Sequence, residues 1–152
     1  MEKIKSFRVN HNTLKKGLYI SRIDRDVVTY DLRMKLPNSG DYLDFDALHT
    51  IEHLFATYVR NSEYADKVIY VGPMGCRTGF YFLVSGMQNA EVPKLLRKTF
   101  RFIADFSGDI PGSLPEECGN YLAHNLPLAK KEAAEYLAVL ENCTENTMNY
   151  ID

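Results

Sequence analysis

The sequence predicts an α+β domain in which an antiparallel sheet packs against helices on one of its faces. Three observations carry that prediction: one segment with strict two-residue alternation, three segments with apolar residues at helical spacing, and a mixed order of strands and helices with a tight turn between two of the strands. From Val28, the residues Val28, Tyr30, Leu32, Met34 and Leu36 alternate with Thr29, Asp31, Arg33 and Lys35. That pattern predicts a strand with one buried face and places Arg33 on the other face. Pro37-Asn38-Ser39-Gly40 ends it in turn-forming residues.

A helix follows from about 46 to 61, with Leu48, Ile51, Leu54, Phe55, Tyr58 and Val59 at its spacing. Two more strands are predicted over 67–71 and 77–85, joined by Gly72-Pro73-Met74-Gly75-Cys76. Asn89 is the expected N-cap of a second helix, where Pro93 falls in the first turn and Leu96, Phe100, Ile103 and Phe106 face inward. Residues 108–115 read as loop. A last helix over 127–141 follows Asn125 and turns Ala129, Ala133, Tyr136, Leu137 and Leu140 inward.

The chain has 152 residues, no internal repeat and no linker-like tract, which suits one domain over 1–152. At 45% hydrophobic and 25% charged residues it has a globular composition. Lys+Arg 18 against Asp+Glu 20 leaves a net charge of −2, which argues against nucleic acid or a membrane surface as partner. The amino-terminal stretch lacks an apolar signal core, and runs such as 80–84 are far too short to span a bilayer, so a cytoplasmic location is expected. Cys76, Cys118 and Cys143 are odd in number and widely spaced, as free thiols of a reducing compartment would be.

The chemically informative window is His49-Thr50-Ile51-Glu52-His53. On a helix, His49, Glu52 and His53 share one face, opposite the apolar stripe, so the histidines are not core residues. Imidazoles four apart can reach one divalent metal, and Glu52 between them can act as a base beside it. A third ligand must come from elsewhere: Cys118, His124 and the other thiols are candidates, and spacing alone does not choose Cys118 over Cys76. Cys76, in a turn between Gly75 and the cationic Arg77, can also serve as a proton carrier. Cys143 has no such company.

Several blocks together resemble the S-ribosylhomocysteine lyase (LuxS) family: Ser6-Phe7 with His11-Asn12, Asp31-Leu32-Arg33 with Pro37-Asn38, HTIEHL from His49, PMGCRTGFY from Pro73, Ser85-Gly86, and Cys118-Gly119 followed by His124. The resemblance runs along nearly the whole chain, and the ordered set is more specific than any single block. It implies a LuxS-like, metallohydrolase-like homodimer with active sites at the subunit interface. It also implies one divalent metal per subunit, Fe(II) first and Zn(II) or Co(II) as alternatives, held by His49, His53 and Cys118. Glu52 and Cys76 would be the acid/base groups, and Ser6, His11 and Arg33 would line the substrate pocket.

The implied reaction converts S-ribosylhomocysteine to homocysteine and 4,5-dihydroxy-2,3-pentanedione, the autoinducer-2 precursor. The chain departs from the family pattern at Tyr70 and Gly72, where an acidic residue and a serine are usual, and at Met34-Lys35, where Phe-Cys is usual. The competing expectation is a small metallopeptidase, because His-x-x-Glu-His is also an inverted zinc-peptidase signature. Those enzymes take a carboxylate as third ligand, whereas the third block here is Cys-Gly.

Overall fold

In the computed structural model, which describes residues 1–151, the strands β1 (Gly17–Asp24), β2 (Val27–Arg33), β3 (Val68–Pro73) and β4 (Gly79–Ser85) form one sheet. Its order is β1-β2-β4-β3, with every neighbouring pair antiparallel. The helices are α1 (Lys5–Arg8), α2 (Phe45–Arg60), α3 (Glu91–Asp105) and α4 (Leu126–Leu140), with 3-10 turns at Ala65–Lys67 and Glu145–Thr147. The predicted α+β class is the observed one.

Alternation sets the two faces of the sheet. Tyr30 and Leu32 of β2 and Phe80, Phe82 and Val84 of β4 are fully buried and share one cluster with the inward residues of α2, α3 and α4. Phe55 of α2 is the hub, with its ring 5.4 Å from Phe82 and 5.5 Å from Phe100, which in turn meets Tyr136 at 4.9 Å. Such edge and tilted contacts stabilise an aromatic core beyond its buried area. On the opposite face, Thr29, Tyr81 and Leu83 remain partly open.

Three expectations need correction, and one strand went unread. Strand β2 ends at Arg33, because the backbone N–H groups of Met34 and Lys35 both turn to the Thr78 carbonyl, at 2.8 and 2.9 Å; Leu36 is exposed accordingly. Lys35 is not a solvated polar-face residue: it is buried against Glu132, 2.8 Å away. Asn89 does not cap α3. The cap position is Ala90, and Asn89 Oδ1 instead accepts from the buried Tyr30 hydroxyl at 2.5 Å. Strand β1 was not anticipated, because a bulge between Ile20 and Arg22 shifts its alternation by one residue mid-strand.

Two caps position the helices that matter for the site. Asp44 accepts from the N–H groups of Asp46 and Ala47 and starts α2. Asn125 caps α4 through Leu128 N–H, while its own N–H donates to Thr50 Oγ1 on α2 at 3.0 Å. The loop carrying Cys118 and His124 is thereby tied to the His face of α2.

Candidate metal centre

His49 and His53 sit one helical turn apart on α2, with ring planes at 89° and centroids 4.6 Å apart. His49 Nδ1 lies 2.7 Å from the Ala123 carbonyl and His53 Nδ1 lies 2.8 Å from the Pro111 carbonyl. A carbonyl only accepts, so each Nδ1 carries the proton and each Nε2 presents a lone pair. Both lone-pair nitrogens face Cys118 Sγ, at 3.5 and 3.9 Å. A tetrahedral metal with ordinary metal–N and metal–S bonds separates its N and S ligands by about 3.6 Å. Carbonyl-anchored imidazoles of this kind are the usual outer support of a metal site.

His124 completes the cluster. One ligand atom from each of His49, His53, Cys118 and His124 lies within 4.8 Å of the others, so the four could hold one metal ion. The Thr50 hydroxyl donates to the Asp46 carbonyl at 3.0 Å, so toward His124 Nδ1, 2.9 Å away, it accepts. His124 Nε2 is then an acceptor too, and it is a buried side-chain atom without a hydrogen-bond partner among the described residues. Burial, then the neighbouring His49 and His53, push the His124 imidazole below its ordinary value and keep it neutral. Its ring stacks on His49, with centroids 4.1 Å apart and planes within 17°.

Beside the cluster, Glu52 and His53 line a 370 Å³ cavity with Tyr70, Val71, Pro111 and Gly112. Gly112 matters because a side chain there would press on the His53 ring, and its φ of +73° suits glycine. A second cavity, of 280 Å³, opens on the uncovered sheet face between Ser6, Tyr70, Gly72, Pro73 and Tyr81. Tyr70 borders both cavities. Its ring lies across Gly72 in the space a Cβ would fill, so the two departures from the family pattern form one steric unit.

Cys76 occupies the exposed β3–β4 turn, with Sγ 3.1 Å from Thr78 Oγ1. Arg33 faces away from the apolar layer as predicted, yet it is buried: Asp31 holds it through Nε at 3.1 Å and Nη2 at 2.7 Å, and Nη1 reaches Thr78 Oγ1 at 2.8 Å. Burial opposes charge on Arg33, but Asp31 more than offsets it and moves the guanidinium upward overall. Tyr81 is raised by burial and by Asp31, with Arg33 and a Ser6 hydrogen bond pulling the other way, which places Ser6 next to this group. His11 bonds through Nδ1 to the Val9 carbonyl at 2.9 Å, so its own loop holds its ring.

A family model described as S-Ribosylhomocysteinase (LuxS) matches residues 4–147. The chain belongs to that family. Full-length relatives agree with the assignment. A protein of Porphyromonas gingivalis named S-ribosylhomocysteine lyase is 51% identical over 159 residues, covering 100% of each chain. Namesakes from Phocaeicola vulgatus and Clostridium acetobutylicum are each 49% identical, covering 99% of this chain and 98% and 99% of theirs. The peptidase reading gains no support from this LuxS match.

Sequence reasoning missed Thr78. A signal was present in outline, since Thr78 lies two residues beyond Cys76 and immediately before Gly79, which pairs with Arg33.

Proposed function

We propose that the chain is an S-ribosylhomocysteine lyase, working as one domain over residues 1–152, that releases homocysteine and 4,5-dihydroxy-2,3-pentanedione. The observation that carries the reading is the convergence of His49 Nε2 and His53 Nε2 on Cys118 Sγ. These three are the metal ligands of the proposal. His124, stacked on the His49 ring, stands beside these three as a fourth donor in reach of the same ion. Fe(II) is the ion that the family resemblance implies, with Zn(II) or Co(II) as substitutes, and an N/N/S donor set accepts all three. A divalent ion held there would supply Lewis acidity toward the sugar carbonyl oxygens, making the adjacent C–H bonds more acidic.

The chain's own residues then move protons. Cys76 Sγ takes a proton from the sugar carbon beside the carbonyl and returns it to the former carbonyl carbon, while the hydroxyl proton of the first carbon passes to the former carbonyl oxygen. Cys76 serves the early isomerisation and Glu52 the later transfer. A Glu52 carboxylate oxygen takes the proton whose loss expels homocysteine: the C–H electron pair forms the new double bond, the C–S bond breaks, and the thiolate takes up a proton. Ser6 and Arg33, with His11 from the amino-terminal segment, shape the substrate pocket, and Arg33 places a fixed positive charge near Cys76.

The proposal includes a cytoplasmic homodimer with its active sites at the interface and no nucleic-acid or membrane partner. The uncovered sheet face with its Ser6–Tyr81 cavity is a surface that a second copy can close. Among the described residues no helix is long and apolar enough to cross a membrane. The test is titration of free thiol from S-ribosylhomocysteine incubated with metal-loaded protein. Thiol release without cleavage of a generic peptide supports the lyase, and the reverse pattern supports a peptidase.

A further inference from the structure

Cys76 is exposed in a turn, where a side chain is ordinarily free to rotate. Its Sγ nevertheless lies within hydrogen-bond reach of Thr78 Oγ1, at 3.1 Å. The same hydroxyl oxygen is 2.8 Å from Arg33 Nη1, and a guanidinium has only donors. Thr78 must therefore accept from Arg33, which leaves its single proton for another partner. Two sulfurs are in range, Met74 Sδ at 3.8 Å and Cys76 Sγ at 3.1 Å. A thioether is a weak acceptor, whereas an ionised thiol forms a charge-assisted bond. The Thr78 proton belongs to Cys76 whenever the sulfur has given up its own.

The inner end of this link is rigid. Arg33 is gripped at Nε and Nη2 by both Asp31 oxygens, and the Tyr150 hydroxyl donates to Asp31 Oδ2 at 2.7 Å. Asp31, Arg33 and Thr78 are all at most 3% exposed, so water does not compete for these bonds. The Thr78 backbone is fixed as well: its carbonyl accepts from Met34 and Lys35 N–H. Gly79 beside it permits the close approach, because a Cβ there would collide with the Leu32 carbonyl.

We propose that Thr78 is a positioning residue: it accepts from the buried Arg33 and donates to Cys76 Sγ, holding an exposed sulfur in one orientation. The role rests on the reading of Cys76 as a proton carrier. Tyr150 and Asp31 anchor Arg33, and among the described contacts Thr78 is the residue that links Arg33 to the sulfur.

Thr78→Val removes the hydroxyl at nearly constant volume, and Thr78→Ser keeps it. Two measurements on metal-loaded protein test the proposal: the rate at which iodoacetamide alkylates Cys76 at pH 7, resolved by peptide mass mapping, and kcat and KM for thiol release from S-ribosylhomocysteine. Thr78→Val is expected to lower both the alkylation rate and kcat at least about tenfold, with KM within about twofold, as loss of a hydrogen bond to a charged acceptor predicts. Thr78→Ser is expected to restore both, and Thr78→Ala carries the Val expectation should Val fail to fold. Unchanged alkylation without the hydroxyl, or a Ser variant that behaves like Val, would overturn the proposal. Alkylation needs no turnover, so a wild-type chain that releases no thiol sinks the lyase reading while the Thr78 link is still judged.

Discussion

Replacing Asp31 by Asn breaks the ion pair on which the Cys76 end of the site is built. The Arg33 and Asp31 side chains are 3% and 1% exposed and 2.7 Å apart at their closest atoms, so removing one charge leaves the other buried and unpaired. Breaking such a pair costs about 3–5 kcal/mol. Asn retains one acceptor oxygen for Arg33, and the Tyr150 hydroxyl can still donate to it, so the lower end, about 3 kcal/mol, is expected. For a chain of this size that corresponds to a fall in Tm of roughly 6–12 °C. Thermal unfolding at pH 7, with protein and metal concentrations held equal for wild type and variant, measures it. The double variant Asp31→Leu with Arg33→Met, which removes both charges, should recover much of the loss. A fall in Tm below about 1 °C for Asp31→Asn would refute the claim that this pair is buried and dependent on its partner.

Further outcomes follow from other parts of the structure. Glu132→Ala leaves buried Lys35 with only the more exposed Asp41 and Glu135 as partners, and should cost about 2–3 kcal/mol at pH 7 by urea unfolding. Burial alone would lower Lys35, but Glu132 and Asp41 outweigh it and raise it above 10.5. The stabilisation is therefore fully present below about pH 10.5 and lost as pH climbs through the raised folded-state value; a wild-type advantage that grows in alkali contradicts this. Gly72→Ala, at a position without positive φ, should push the Tyr70 ring off its seat. It should raise KM for S-ribosylhomocysteine several-fold, and Tyr70→Ala should have the same effect with no further increase in the double variant; additive effects would separate the two residues.

Legibility in the sequence followed the range of the interactions. The β2 alternation and the His face of α2 depend on local geometry, and both were readable from spacing. Strand β1 was hidden because its bulge resets the alternation within a single strand. The Asn89 cap was misplaced because a buried tyrosine 59 residues earlier in the chain claims the same oxygen. The face of Arg33 was readable but its burial was not, since nothing local indicates that Tyr150, 119 residues from Asp31, closes over the ion pair. The candidate metal cluster was partly legible: the i, i+4 pair named the helix, whereas the approach of Cys118 and His124 depends on the Asn125–Thr50 tie between two distant elements.

The most direct test of the central claim is metal content measured together with thiol release on anaerobically prepared wild type, Cys76→Ala and Cys118→Ala. Wild type should carry one metal per chain and release thiol from S-ribosylhomocysteine. Cys76→Ala should keep its metal and release none, and Cys118→Ala should lose both. Full metal in Cys118→Ala, or no thiol from metal-replete wild type, would contradict the account.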